Sequence, residues 1–198
     1  MTDARLPELW LVRHGETEWS RGGRHTGRTD LPLTTNGERD ARALAPMVGG
    51  HDFALVLSSP LQRAWETCKL AGLGARAVPC DDLLEWDYGM YEGRTTLEVQ
   101  AEYPGWTVWT GDTPGGETAD DVGRRADRAI ERAMGAGGDV ALFAHAHLLR
   151  VLAARWLALG PRSGKSFVLA AGSLSVLGHE RETHVIRMWN VTPPPVPA

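Results

Sequence analysis

Leu11-Val12-Arg13-His14-Gly15-Glu16-Thr17 closes a short apolar run that begins at Leu9. Such a run predicts a buried strand of a parallel sheet, and in open α/β sheets ligands bind just beyond the carboxyl ends of these strands. Arg13 and His14 therefore stand where chemistry is expected. Arginine offers a permanent planar cation whose fork matches phosphate oxygens, and histidine is largely uncharged, hence nucleophilic, near neutral pH. Gly15 lets the chain turn sharply and leaves room for a ligand. A strand-end histidine also serves as an ordinary structural residue, so the triplet takes its meaning from the rest of the chain.

Outward from this stretch, strands and helices alternate. Thr34 or Thr35, the latter with Glu38, caps a helix whose apolar face is Ala41, Leu44, Ala45 and Val48, ended by Gly49-Gly50. Ala54-Leu55-Val56-Leu57 is a second buried strand, and Ser58-Ser59-Pro60 is expected to start a helix that carries Arg63 in its first turn. A helix N-terminus gathers anions, so Arg63 reads as part of a phosphate site, against the plainer reading of a solvated surface arginine. Thr118 with Asp121 caps a long helix to about Met134. Asp139 to Ala144 is the next strand with His145 at its end, Leu148 to Leu157 the next helix, and residues 175–178 and 183–189 a terminal strand pair. The class is α/β.

The chain has 198 residues and a formal net charge of -4, with no basic run, which argues against nucleic acid and anionic membranes as partners. Two cysteines, Cys68 and Cys80, make no disulfide framework. Neither a signal-peptide core nor an apolar run long enough to span a bilayer is present, so a cytoplasmic protein is expected. Self-association as a homodimer is left open.

Five ordered blocks carry a family resemblance. They are Arg13 to Ser20, Gly27 to Thr34, Ser58 to Thr67, Leu84 to Gly93 and Phe143 to His147. Together they resemble the histidine phosphatase superfamily, or phosphoglycerate mutase-like family, and within it the small bacterial acid phosphatases. The resemblance implies a three-layer α/β/α sandwich with a mostly parallel central sheet and helices on both faces. A single domain spans 1–198, with a lid at about 86–117 and a tail at about 192–198 expected to be disordered.

It further implies that His14 attacks phosphorus to give a phosphohistidine. Arg13, Arg63 and a protonated His145 neutralise the phosphoryl charge, and no metal or other cofactor is needed. Phosphate contacts are expected from Ser20, Thr26, the backbone of Gly27 and Ala146, although Ser20 and Thr26 also suit ordinary turn chemistry. The family usually has a longer Asn at Ser20 and Gly at Ala146, whose added methyl narrows the pocket or shifts the backbone. Glu85 takes the acid–base role and Tyr88 lines the substrate side. The residues themselves leave Asp87 and Glu92 as rivals, since any carboxyl beside Trp86 and Tyr88 is placed in desolvated surroundings that suit a general acid. His25, His51, His147, His179 and His184 read as structural or surface residues, and paired arginines speak against a metal on His145-x-His147.

Between Glu85 and Asp121 the only cation is Arg94, against many acids, so the lid is expected to repel a second strong anion. This favours hydrolysis of a small phosphate monoester, such as a sugar phosphate, over a phosphoglycerate mutase reaction or a catalytically silent ligand-binding module. Arg21, Arg24 and Arg28 still leave a bisphosphate open. Trp86, Trp106 and Trp109 form either an aromatic wall for the leaving group or pins that hold the lid.

Overall fold

Val140-Ala141-Leu142-Phe143-Ala144 contains no polar residue, and every one of its side chains is buried. Alternate side chains leave opposite faces of a strand, so a strand buried at every position must be covered on both sides. Val140, Leu142 and Ala144 join one apolar core, while Ala141 and Phe143 join a second with Leu44, Val48, Phe53 and Cys68.

The computed structural model describes residues 6–194. Its strands are β1 (Leu9–Arg13), β2 (Leu55–Ser58), β3 (Ala77–Pro79), β4 (Val140–Ala144), β5 (Leu174–Glu180) and β6 (Thr183–Val191), ordered β3-β2-β4-β1-β5-β6 across one sheet. β3, β2, β4 and β1 are mutually parallel; β5 and β6 complete the sheet antiparallel to their neighbours. The helices are α1 (Glu18–Arg21), α2 (Thr35–Ala43), α3 (Ala45–Val48), α4 (Gln62–Leu70), α5 (Thr96–Gln100), α6 (Ala119–Met134) and α7 (Ala146–Trp156). Residues of α6 and α7 fill the first core, and Leu44 at the end of α2 with residues of α3 and α4 joins the second, which gives the expected three layers.

Several local expectations need correction. The helix expected to reach Val48 breaks at Leu44, because Pro46 has no N–H for the bond that would continue α2. Thr34, not Thr35, is its cap and accepts from the Gly37 N–H at 3.0 Å. α1 follows directly on the turn after β1 and is capped by Thr17. Ser58 and Ser59 do not cap α4; the Asp30 carboxylate does so from a distant loop, accepting from the Gln62 N–H at 2.8 Å. Thr118 and Asp121 form the expected capping box of α6. In the tail, Thr192 to Pro194 line a surface cleft with Arg39 and Asp40, and residues 195–198 lie outside the described residues.

The turn after β1 packs backbone to backbone against α2. A Cβ on Gly15 would lie 2.2 Å from the Gly37 carbonyl oxygen, and one on Gly37 would lie 2.1 Å from that of Glu16. No flexible side chain is there to yield. Gly37→Ala is expected to lower stability by about 3 kcal/mol, the upper range for overpacking, read as a lower urea midpoint. An unchanged midpoint would show that α2 shifts freely.

Candidate active site

The parallel strands β1, β2 and β4 end at one edge of the sheet, with Arg13 paired in register to Ala144. His14 and His145 are therefore neighbours although far apart in the chain. Three contacts grip the His14 turn: its N–H donates to the Ala144 carbonyl at 3.0 Å, its carbonyl accepts from Gly172 at 3.0 Å, and the Gly15 N–H donates to Thr67 of α4 at 3.1 Å.

Partners fix which nitrogen of each ring carries the proton. His14 Nδ1 lies 2.7 Å from the Gly15 carbonyl, which only accepts, so Nδ1 bears the hydrogen and Nε2 keeps its lone pair. Burial first, then the charges of Arg63 and Arg13, push the His14 pKa well below its ordinary value. His145 is the mirror case. Arg63 Nε, which only donates, meets its Nδ1 at 3.1 Å, so Nε2 carries the hydrogen and donates to Ser59 Oγ at 2.8 Å. Burial and then Arg63 also hold the His145 pKa well below its ordinary value. The expected protonated His145 is thus corrected to a neutral one.

A cavity of about 430 Å³ opens over this edge. Arg13, His14 and Ala146 line its floor, and Ser20, Thr26, Glu85 and Tyr88 its walls. Ser20 contributes little as a donor, because its hydroxyl and its N–H are both spent on Thr17 in the α1 capping box. The Thr26 hydroxyl donates to the Arg24 carbonyl at 3.1 Å. Ala146 is the first residue of α7, where a methyl brings no backbone strain.

Three expected residues stand behind the cavity. Arg63 and His145 are fully buried. Besides His145, Arg63 donates to the carbonyls of Thr26, Gly27 and Thr29 at 2.9 to 3.0 Å, so its fork is occupied by protein. The Gly27 N–H donates to Glu92 Oε1 at 2.8 Å and does not face the cavity. That bond also disposes of Glu92 as a rival acid, and Asp87 is turned toward Gly89 and Arg28. Glu85 is the only carboxylate lining the cavity among the described residues. It sits at the N-terminus of α7, accepting from the N–H groups of His147 (3.1 Å) and Leu148 (2.9 Å) and from that of Trp86 (2.9 Å).

The sequence reading missed part of the wall. His25 and His147, expected to be structural or surface residues, both line the cavity with Arg24, Trp109 and Arg150. Burial lowers the His25 pKa to about 4. Burial, and next Arg150, push that of His147 well down. The Tyr88 phenol lies 2.6 Å from His147 Nδ1, and burial and then the Glu85 charge push its own pKa well up, so it remains a neutral donor. Of the three tryptophans, only Trp109 is on the wall. Trp86 and Trp106 brace the 86–117 segment from within, donating to the carbonyls of Glu117 (2.8 Å) and Asp112 (2.9 Å). One clue was available: His147 and Arg150 are three residues apart on α7 and share its face toward the strand ends.

Known proteins give the same picture. The sequence pattern of the histidine phosphatase superfamily (branch 1) matches residues 9–192. An acid phosphatase of Mycobacterium tuberculosis is 38% identical over 98% of this chain and 97% of its own. A sedoheptulose 1,7-bisphosphatase of Saccharomyces cerevisiae is 36% identical over 78% of this chain and 69% of its own. The solved structure of the Mycobacterium tuberculosis open reading frame Rv3214 superposes with a TM-score of 0.90 at 36% identity, covering 95% of this chain and 99% of that one. A phosphoglycerate mutase-like α/β fold, paired strand-end histidines and a match along almost the whole chain lead to one assignment: this phosphatase belongs to the histidine phosphatase superfamily.

Proposed function

We propose that the chain hydrolyses small-molecule phosphate monoesters in two steps through a phosphohistidine on His14. The observation that carries this reading is the His14 Nδ1–H bond to the Gly15 carbonyl, which leaves the Nε2 lone pair to a cavity shared with Arg13 and a single carboxyl. Nε2 attacks phosphorus in line; the N–P bond forms as the ester P–O bond breaks, and Glu85 gives its proton to the departing alkoxide. Water then loses a proton to the Glu85 carboxylate and attacks phosphorus, the P–N bond breaks, and inorganic phosphate leaves. Arg13 faces the phosphoryl oxygens, while buried Arg63 supplies a fixed positive charge from behind. His145, 5.1 Å from His14 between ring centres, is held by Arg63 and Ser59 behind the floor. Cys68 and Cys80, buried and unpaired, suit a reducing, cytoplasmic setting.

Acid quenching during turnover of a ³²P-labelled ester tests the covalent step. Acid-labile, base-stable label on a peptide containing His14 is expected, and absence of label under rapid quench removes the phosphohistidine from the scheme. Glu85 is tested through the leaving group. Glu85→Gln is expected to lower kcat about 10²- to 10⁴-fold on alkyl phosphates, whose alkoxide needs the proton, and far less on p-nitrophenyl phosphate, whose phenolate does not. An equal loss on both classes would assign Glu85 to capping α7 alone.

A further inference from the structure

Arginines drawn out of water usually hold a carboxylate, because an uncompensated buried charge is costly. Among the described residues Arg125 follows this rule, pairing with Glu117 at 2.7 Å. Arg13, Arg63 and Arg150 have no such partner, and they share the active-site region. Arg13 and Arg63 belong to the phosphoryl site. Arg150 is on the far wall, on α7 beneath the lid.

Its guanidinium is planted. Nε donates to the Gly164 carbonyl at 3.0 Å and one terminal nitrogen to that of Lys165 at 3.3 Å, and its plane lies 4.5 Å over the Trp109 ring. The other terminal nitrogen has no protein acceptor among the described residues. One turn back, His147 Nδ1 shares a 2.6 Å hydrogen bond with the Tyr88 hydroxyl, and in the tautomer in which Tyr88 donates, Nε2–H is a donor for a ligand. Arg24 stands on the rim with one terminal nitrogen on the Gly93 carbonyl at 2.7 Å, and Glu98 offsets part of its charge from 3.5 Å.

Of the acids that were expected to repel a second anion, Glu85 lines the cavity on the phosphoryl side and Glu98 reaches Arg24 at the rim, and most of the others are turned elsewhere. Glu102 is on Arg94, Asp87 and Glu117 are on Arg28 and Arg125, and Glu92 accepts from Gly27 and Thr29. The lid is acidic in sequence and the cavity beneath it is cationic.

Resting on the hydrolytic reading above, we propose that Arg150, His147 and Arg24 form a second oxyanion site, which receives a carboxylate or second phosphate on the leaving alcohol. The protein therefore selects phosphate esters that are anionic at both ends. A cavity of about 430 Å³ holds a sugar-sized leaving group between the two sites.

Matched substrates test this. Values of kcat/KM are compared for 3-phosphoglycerate against glycerol 3-phosphate, for fructose 1,6-bisphosphate against fructose 1-phosphate, and for p-nitrophenyl phosphate as a common reference. In at least one pair the doubly anionic member is expected to lead by about 10- to 100-fold, the range for a charge-assisted contact, and the pair that responds identifies the oxyanion. Arg150→Met is expected to bring that ratio within about threefold, and Arg150→Lys to restore part of it. If Arg150→Met does not fold, Arg24→Gln at the exposed rim is expected to lower the same ratio by about threefold or more, and no change there counts against the site. Equal values within both pairs for the wild type overturn the proposal, as does an even loss across all five esters in Arg150→Met. Both outcomes leave hydrolysis at His14 standing, whereas a wild type inert toward all five esters removes the underlying reading.

Discussion

His14→Ala is expected to lower kcat about 10⁴-fold or more, on the order of 5 kcal/mol of barrier, with little change in stability. The magnitude follows from what the side chain does. In the proposed mechanism it carries the attacking nitrogen, so its loss would remove the covalent route entirely and leave water to attack an ester still held by Arg13. Its stability cost is small because the fold does not rest on it. The turn is held by backbone bonds to Ala144 and Gly172 and by Thr67, none of which involves the imidazole. Imidazole added to the variant should restore part of the rate with p-nitrophenyl phosphate by entering the vacated volume. Residual turnover above about one per cent of wild type, with no label trapped in either protein, would assign the attack to water and make His14 a positioning residue.

Where such a nucleophile sits was legible because strand ends are legible. Leu9 to Val12 and Val140 to Ala144 are apolar throughout, and a histidine follows each, His14 after Arg13 and His145 directly. The far wall was not. Arg150 and His147 occupy the first turns of α7 and read as an ordinary amphipathic pattern, and nothing local shows that Trp109 and Tyr88 arrive from the lid to meet them. The charge of the lid misled for a similar reason: composition counts acids, and only the folded chain shows Asp87, Glu92, Glu102 and Glu117 turned onto arginines or amides. Ser59 was expected to cap a helix, and its hydroxyl orients His145 instead. Local chemistry gave the right residue and the wrong partner, because the competing partner lies 86 positions away.

The same burial that keeps the His14 ring unprotonated is expected to make the fold acid-sensitive. His14, His25, His145 and His147 all have pKa values lowered from 6.5, chiefly by burial. In the unfolded chain these rings take protons near pH 6.5. The folded protein refuses them, so between pH 6.5 and the lowered values the unfolded state binds more protons and stability falls as pH falls. For His25, with a folded value of about 4, the loss between pH 7.5 and pH 5 is roughly 2 kcal/mol, and the other three add to it in the same direction. Urea midpoints measured at the two pH values should show the fall, and His25→Phe, which fills the space beside Tyr88 and Trp106 without titrating, should recover part of it. Inorganic phosphate should also flatten the slope, since an anion beside Arg13 and His14 binds only the folded state. Catalysis then has an acid limit set by unfolding and not by the nucleophile, which stays unprotonated below pH 6.5. Activity lost in acid should therefore grow with incubation time and be slowed by phosphate, whereas midpoints that are flat from pH 7.5 to pH 5 would mean that these rings are reached by water and titrate normally.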